Sequence, residues 1–290
     1  MTRNPLGAVP IRQPADPPLA GRRVDVWRIV PALIFIPFFY VLVRYLPATA
    51  FFALVAVAGL LALLEFYRLY FRHTRAVPAI ALGCGFLVLL LASLHWPGLA
   101  SERTVLVLMV LTVLMTRLAA RDQLQHCLAD AAVVGFVVLY IGLTLGSLLL
   151  TRALPDGVFL IFFVFLMTWA GDTGAYYAGM WLGRTPLAPA ISPNKTVEGL
   201  IGGFLLAVVV AFLARAWFLP VFTVIDCLAT GILLTAAGVL GDLTESAMKR
   251  SAGVKDSGSL IPAHGGMLDR LDSLLFTAPV FYYYVVLVKL

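Results

Sequence analysis

Residues 241–272 read GDLTESAMKRSAGVKDSGSLIPAHGGMLDRLD, placing Asp242, Glu245, Asp256, Asp269 and Asp272 beside Lys249, Arg250, Lys255, Arg270 and His264. Only 12% of the 290 residues are charged, so this stretch stands apart from the rest of the chain. On a helix, at 100° per residue, Asp242, Glu245 and Lys249 fall within about 60° of one another, on one face. Asp269 and Asp272 repeat the three-residue step where a further helix is expected to begin. Two pairs of carboxylates from two helix ends make a hard-oxygen set suited to Mg²⁺. Lys249, Arg250, Lys255 and Arg270 supply the positive charge that a polyphosphate requires. His264-Gly265-Gly266 reads as a tight turn whose amides can approach a ligand closely.

The flanks decide between this chemistry and an idle solvated loop. Residues 227–240 and 273–288 are apolar, yet each is shorter than the roughly 20 residues a spanning helix needs. The neighbouring carboxylates are therefore expected at or just below a membrane surface, where ionisable groups mark function. A second stretch, 171–203, has the same character. Asp172 follows the apolar run 157–170, and Gly171, Gly174, Ala175, Ala178 and Gly179 allow a neighbouring helix to come close. Ser192-Pro193-Asn194-Lys195-Thr196-x-Glu198-Gly199 then opens the next span. Helix capping alone would explain the Ser/Thr and Glu. Lys195 at a helix N-terminus, where the dipole already favours anions, makes Ser192, Lys195 and Thr196 a candidate phosphate site.

The elements that must position these residues are membrane helices. With 61% hydrophobic residues and a mean hydropathy of +0.97, the chain cannot bury its apolar side chains in a water-soluble core. The expected fold is an all-α polytopic membrane protein of about nine transmembrane helices with a cytosolic N-terminus. The spans fall near 29–46, 48–64 (ending at Glu65), 77–94, 104–116, 131–150, 158–178, 200–219, 223–245 and 271–288. Residues 1–27, rich in proline and arginine, are expected as a disordered basic cytosolic tail without the order of a cleavable signal peptide. Residues 28–150 form the N-terminal spans and 151–290 the catalytic region; there is no internal repeat. With the tail inside, only Arg44, Arg103, Arg152, Arg215 and Lys289 of the 21 Lys and Arg lie outside. The pI near 9.4 reflects this topology and anionic headgroups, not nucleic acid. Cys84, Cys127 and Cys227 show no metal-ligand spacing and read as core residues. The first half is expected to be chemically quiet. It has prolines but no submerged carboxylates, and His73, His95 and His126 read as surface or interface residues.

Ser246-x-x-Lys249-Arg250-x4-Lys255-Asp256-x-Gly258, followed by Pro262-x-His264-Gly265-Gly266-x-x-Asp269-Arg270-x-Asp272, resembles the signature of the phosphatidate cytidylyltransferases (CDP-diacylglycerol synthases). The pattern is met along its whole length. The Ser192-Pro193-x-Lys195-Thr196 element is similar too, with Asn194 where another basic residue often stands. The likeness covers roughly the last 120 residues. It implies transfer of the cytidylyl group of CTP to phosphatidate, giving CDP-diacylglycerol and pyrophosphate. Catalysis would then rest on positioning and charge neutralisation. Asp242 and Asp269 are expected to hold Mg²⁺, with Asp272 and Glu245 as further ligands or supporting groups and Lys249 beside them. Substrate binding falls to Asp172, Ser192, Lys195, Thr196, Arg250, Lys255, Asp256, His264, Gly265, Gly266 and Arg270. The implied partners are CTP, phosphatidate and membrane lipids, with room for a homodimer. The implied location is a bacterial cytoplasmic (inner) membrane with the site facing the cytoplasm. Three alternatives remain at this point: a CTP-dependent polyprenol or dolichol kinase, a lipid transporter without chemistry, and a CDP-alcohol phosphotransferase. The last lacks its DG-x2-AR element here.

Overall fold

The computed structural model describes residues 26–71, 77–119, 127–254 and 266–290. Among them the chain forms α1 (Val26–Tyr45), α2 (Ala48–Tyr70), α3 (Val77–His95), α4 (Glu102–Ala119), α5 (Cys127–Ala153) and α6 (Gly157–Leu182). A hairpin of β1 (Pro186–Ala188) and β2 (Ser192–Thr196) leads into α7 (Val197–Trp217), α8 (Val224–Ser251) and α9 (Leu268–Tyr284). A π-helical turn, Val285–Lys289, continues α9. Among the described residues, seven helices are long and apolar enough to cross a membrane: α2, α3, α5, α6, α7, α8 and α9 with its continuation. The chain is a multi-pass, essentially all-α membrane protein. The spans expected near 29–46 and 104–116 coincide with α1 and α4, which are not among those seven. The expected tail lies outside the described residues except for Val26 and Trp27, which begin α1.

Lipid tails are as apolar as leucine, so close packing and interhelical hydrogen bonds hold such a bundle together. α6 and α7 show this most clearly. A Cβ on Gly174 would crowd the Gly202 carbonyl, and one on Gly202 would overlap Ala178, so only glycine permits the observed approach. Phe163 of α6 packs against both Phe222 and Phe281. Polar ties cross the core: the Tyr67 hydroxyl donates to the Val134 carbonyl at 3.0 Å, and Thr168 and Thr277 share a hydroxyl–hydroxyl bond of 2.9 Å. α9 packs against α5 and α2 as well as α8, so the N-terminal helices buttress the last one directly.

Lys195 of the hairpin meets Asp242 of α8 at 2.7 Å and Lys249 of α8 meets Asp269 of α9 at 2.8 Å, so the β1–β2 hairpin, the last turns of α8 and the start of α9 share one end of the bundle. The opposite end is closed by Asp226, 3% exposed, in a capping box with Thr223 at the start of α8. Its carboxylate also accepts from the Tyr284 hydroxyl at 2.6 Å and from Lys289 Nζ at 2.9 Å. That buried charge is thus partnered from three sides, by Thr223, Tyr284 and Lys289.

Candidate active site

α8 does not stop at the end of its apolar run; it continues to Ser251 and carries Asp242, Glu245 and Lys249 along one side. Lys249 Nζ lies 2.8 Å from Asp269 Oδ1 of α9 and 3.3 Å from Glu245 Oε1, one turn back on its own helix. The other oxygen of Asp269 accepts the Gly266 amide at 2.9 Å. Asp272, one turn further along α9, accepts the Ser273 amide at 2.6 Å. It lies within electrostatic reach of Asp242, Asp172 and Glu245. The four carboxylates expected from spacing are thus brought together between two helices.

The second stretch joins them. Residues 192–196 form a strand, not the first turn of a helix, antiparallel to β1 with Ser192 opposite Ala188 and Thr196 opposite Pro186. Lys195 extends from that strand to Asp242 Oδ2 at 2.7 Å and approaches the Val239 carbonyl at 3.5 Å. Lys195 thus directly precedes the Thr196 N-cap of α7, at the helix N-terminus expected for it, and its ammonium is part of the acidic cluster. Thr196 is the N-cap of α7, accepting the Gly199 amide at 3.1 Å, so capping accounts for its hydroxyl. Glu198 reaches back to the amides of Arg184 and Thr185 and to the Thr185 hydroxyl, fixing the hairpin against α7. Asp172 of α6 accepts from the Ser273 hydroxyl at 3.3 Å, which aligns α6 with α9 at the same level.

The donors suit a hard divalent cation, and one feature favours such a guest. Glu245 is 1% exposed, paired with Lys249 at 3.3 Å and close to the carboxyl groups of Asp269 and Asp272. The buried Tyr140 hydroxyl of α5 has no hydrogen bond among the described residues and lies within electrostatic reach of Glu245 and Asp272. Yet no three acidic, His or Cys groups among the described residues are disposed as a closed metal-binding set. Asp242 and Asp269 face lysines instead. Arg250 and Arg270 are exposed at this end. Lys255, Asp256, His264 and Gly265 lie outside the described residues.

Spacing gave no hint of Glu65. This α2 residue, 2% exposed, accepts the Met267 and Leu268 amides, each at 2.8 Å, at the start of α9. Asp130, 7% exposed, is a second buried acid. The expectation that the first half holds no submerged carboxylate is therefore overturned. Together Glu65 and Asp269 take up three successive amides, those of Gly266, Met267 and Leu268. The Gly266 amide, expected to meet a ligand, is already engaged.

Residues 26–288 match the model of the cytidylyltransferase family. A phosphatidate cytidylyltransferase of Staphylococcus aureus is 34% identical over 226 residues, covering 77% of this chain and 85% of that protein. Proteins of the same name are 53% identical over 135 residues in Synechocystis sp. and 48% over 133 residues in Haemophilus influenzae. Those two alignments span 45% and 46% of the relatives' lengths and 46% and 44% of this chain.

Proposed function

The chain belongs to the cytidylyltransferase family, and on that premise we propose that it transfers the cytidylyl group of CTP to phosphatidate. The products are CDP-diacylglycerol and pyrophosphate, an enzymatic step of phospholipid synthesis. The observation that carries the reading is the 2.7 Å contact between Lys195 and Asp242. It joins the two chemically rich stretches into one cation–carboxylate centre at one end of a membrane bundle. A nucleotide from water and a lipid from the bilayer can meet at such a place.

An oxygen of the phosphatidate phosphate attacks the α-phosphorus of CTP. The new P–O bond forms as the bond from that phosphorus to the bridging oxygen of the β-phosphate breaks, and the electron pair leaves with pyrophosphate. The attacking oxygen is already ionised near neutral pH, so no general base is needed. What the reaction requires is alignment of two anions and neutralisation of their charge. Among the described residues Lys195 and Lys249 are the innermost cations, and the exposed Arg250 and Arg270 stand at the rim. Mg²⁺ held by Asp242, Glu245, Asp269 and Asp272 would add charge neutralisation at the phosphates. The strong Lys and Arg bias toward this end supports a site facing the cytoplasm of a bacterial inner membrane.

The test uses CTP labelled at the α- or the γ-phosphate, phosphatidate in mixed micelles, and the purified protein. Cytidylyl transfer moves α-label into the organic phase and leaves γ-label in aqueous pyrophosphate. Passage of γ-label to a lipid alcohol with release of CDP would identify a kinase and overturn the reading.

A further inference from the structure

Glu65 does more than cap a helix. Ordinarily a helix receives its cap from its own N-cap residue, commonly Ser, Thr, Asp or Asn. In α9 that position is Met267, whose side chain makes no cap bond. The acceptor comes instead from α2, across 202 residues of sequence, as a carboxylate that is 2% exposed. Burying a charge costs far more than a local hydroxyl cap would. In return the two Glu65 oxygens grip two successive amides, each at 2.8 Å, and this two-point attachment fixes both the height and the rotation of the α9 start.

That start carries the chemistry. Asp269 follows the second gripped amide by one residue and Asp272 by four. On a helix a slip of one residue turns a side chain by about 100° and lifts it by about 1.5 Å. Such a slip would carry Asp269 away from Lys249 and Asp272 away from Asp242. We propose that Glu65 is a positioning residue for cytidylyl transfer: it sets the register of α9 so that Asp269 and Asp272 meet the side chains of α8. The inference rests on the reading of the site as a cytidylyltransferase centre.

The experiment compares wild type, Glu65→Gln, Glu65→Asp and, as a control, Asp226→Asn at the far end of the bundle. Activity is normalised to monodisperse protein, and thermal unfolding is followed in the same detergent. Gln keeps one acceptor oxygen, and Asp keeps the charge but falls one methylene short. The expected result is a kcat about 10–100-fold lower in both Glu65 variants, with the KM for CTP within about twofold. Asp226→Asn is expected to unfold at lower temperature with its kcat unchanged. Glu65 variants with wild-type kcat would overturn the inference, as would activity lost only in step with folded protein. Wild-type protein that transfers no label would instead overturn the reading of the site itself, so the two failures are told apart.

Discussion

A Cβ on Gly241 would overlap the backbone carbonyl oxygen of Asp272. α8 and α9 thus touch backbone to backbone one residue before Asp242, and this contact brings the carboxylates of the two helices to the same level. One turn earlier, a Cβ on Gly238 would meet Ser273 and Thr277 at ordinary distances of 3.5 Å or more.

The two glycines should therefore respond oppositely to alanine. Gly241→Ala forces the helices apart and should cost about 10–100-fold in label transfer, the usual penalty for a misplacement of about 1 Å. Gly238→Ala should keep activity within about twofold and gain up to about 1 kcal/mol from helix propensity. Parallel turnover and thermal-melt measurements decide this; equal activity in both would disprove the close-approach argument.

The two lysines should separate stability from catalysis. Lys249 is 14% exposed and sits between Glu245 at 1% and Asp269 at 17%. Lys249→Met leaves both carboxylates without their cation and should cost about 3–5 kcal/mol as well as activity. Lys195 and Asp242, at 21% and 37% exposure, form a wetter pair. Lys195→Met should change stability by about 1 kcal/mol or less while lowering kcat/KM about 100-fold or more. Melting temperatures that fall equally in the two variants would contradict the ranking.

Metal dependence follows from the carboxyl groups of Glu245, Asp269 and Asp272 gathered between α8 and α9, with Asp242 beside them. EDTA should stop transfer and Mg²⁺ restore it. Asp272→Asn should raise the Mg²⁺ needed for half-maximal rate about 10–100-fold. Binding of Mg²⁺ to the substrate-free protein, followed by calorimetry, should weaken in the same variant. Full activity in EDTA would remove the metal from the mechanism.

The Asp226 network offers the reverse case. Asp226→Asn weakens the charge-assisted bond with Lys289 and should lower stability by about 1–3 kcal/mol. Per folded molecule, transfer should be unchanged, because this network lies at the end of the bundle away from Lys195 and Asp242. A fall in kcat at constant folded fraction would show coupling between the two ends.

Much of the site was legible because charge is scarce in this chain. Asp242, Glu245 and Lys249 share a helical face in the sequence, and α8 realises it as an ion pair between Glu245 and Lys249. Seven of the nine expected spans coincide with helices long and apolar enough to cross a membrane, because twenty-residue apolar runs have few other uses. Lys195 was found as a cation at a helix N-terminus, but neither its strand nor its carboxylate partner was. A five-residue strand with proline and asparagine has no apolar alternation to betray it, and its partner Asp242 lies on another helix. Glu65 was invisible for a related reason. A lone acid after an apolar run reads as a membrane boundary, yet α2 continues to Tyr70 and packs that acid against α9. Local patterns report periodicity and composition; they carry no record of which distant amide a carboxylate will find.

The most direct test gives wild type and Asp269→Asn, both purified and monodisperse, α-labelled CTP, phosphatidate and Mg²⁺. Wild type should carry label into the lipid phase with release of pyrophosphate, and the variant should retain about 0.1% of that rate or less while melting as a folded protein. Near-normal transfer by Asp269→Asn would mean that the centre joined by Lys195, Asp242, Lys249 and Asp269 does not perform the reaction.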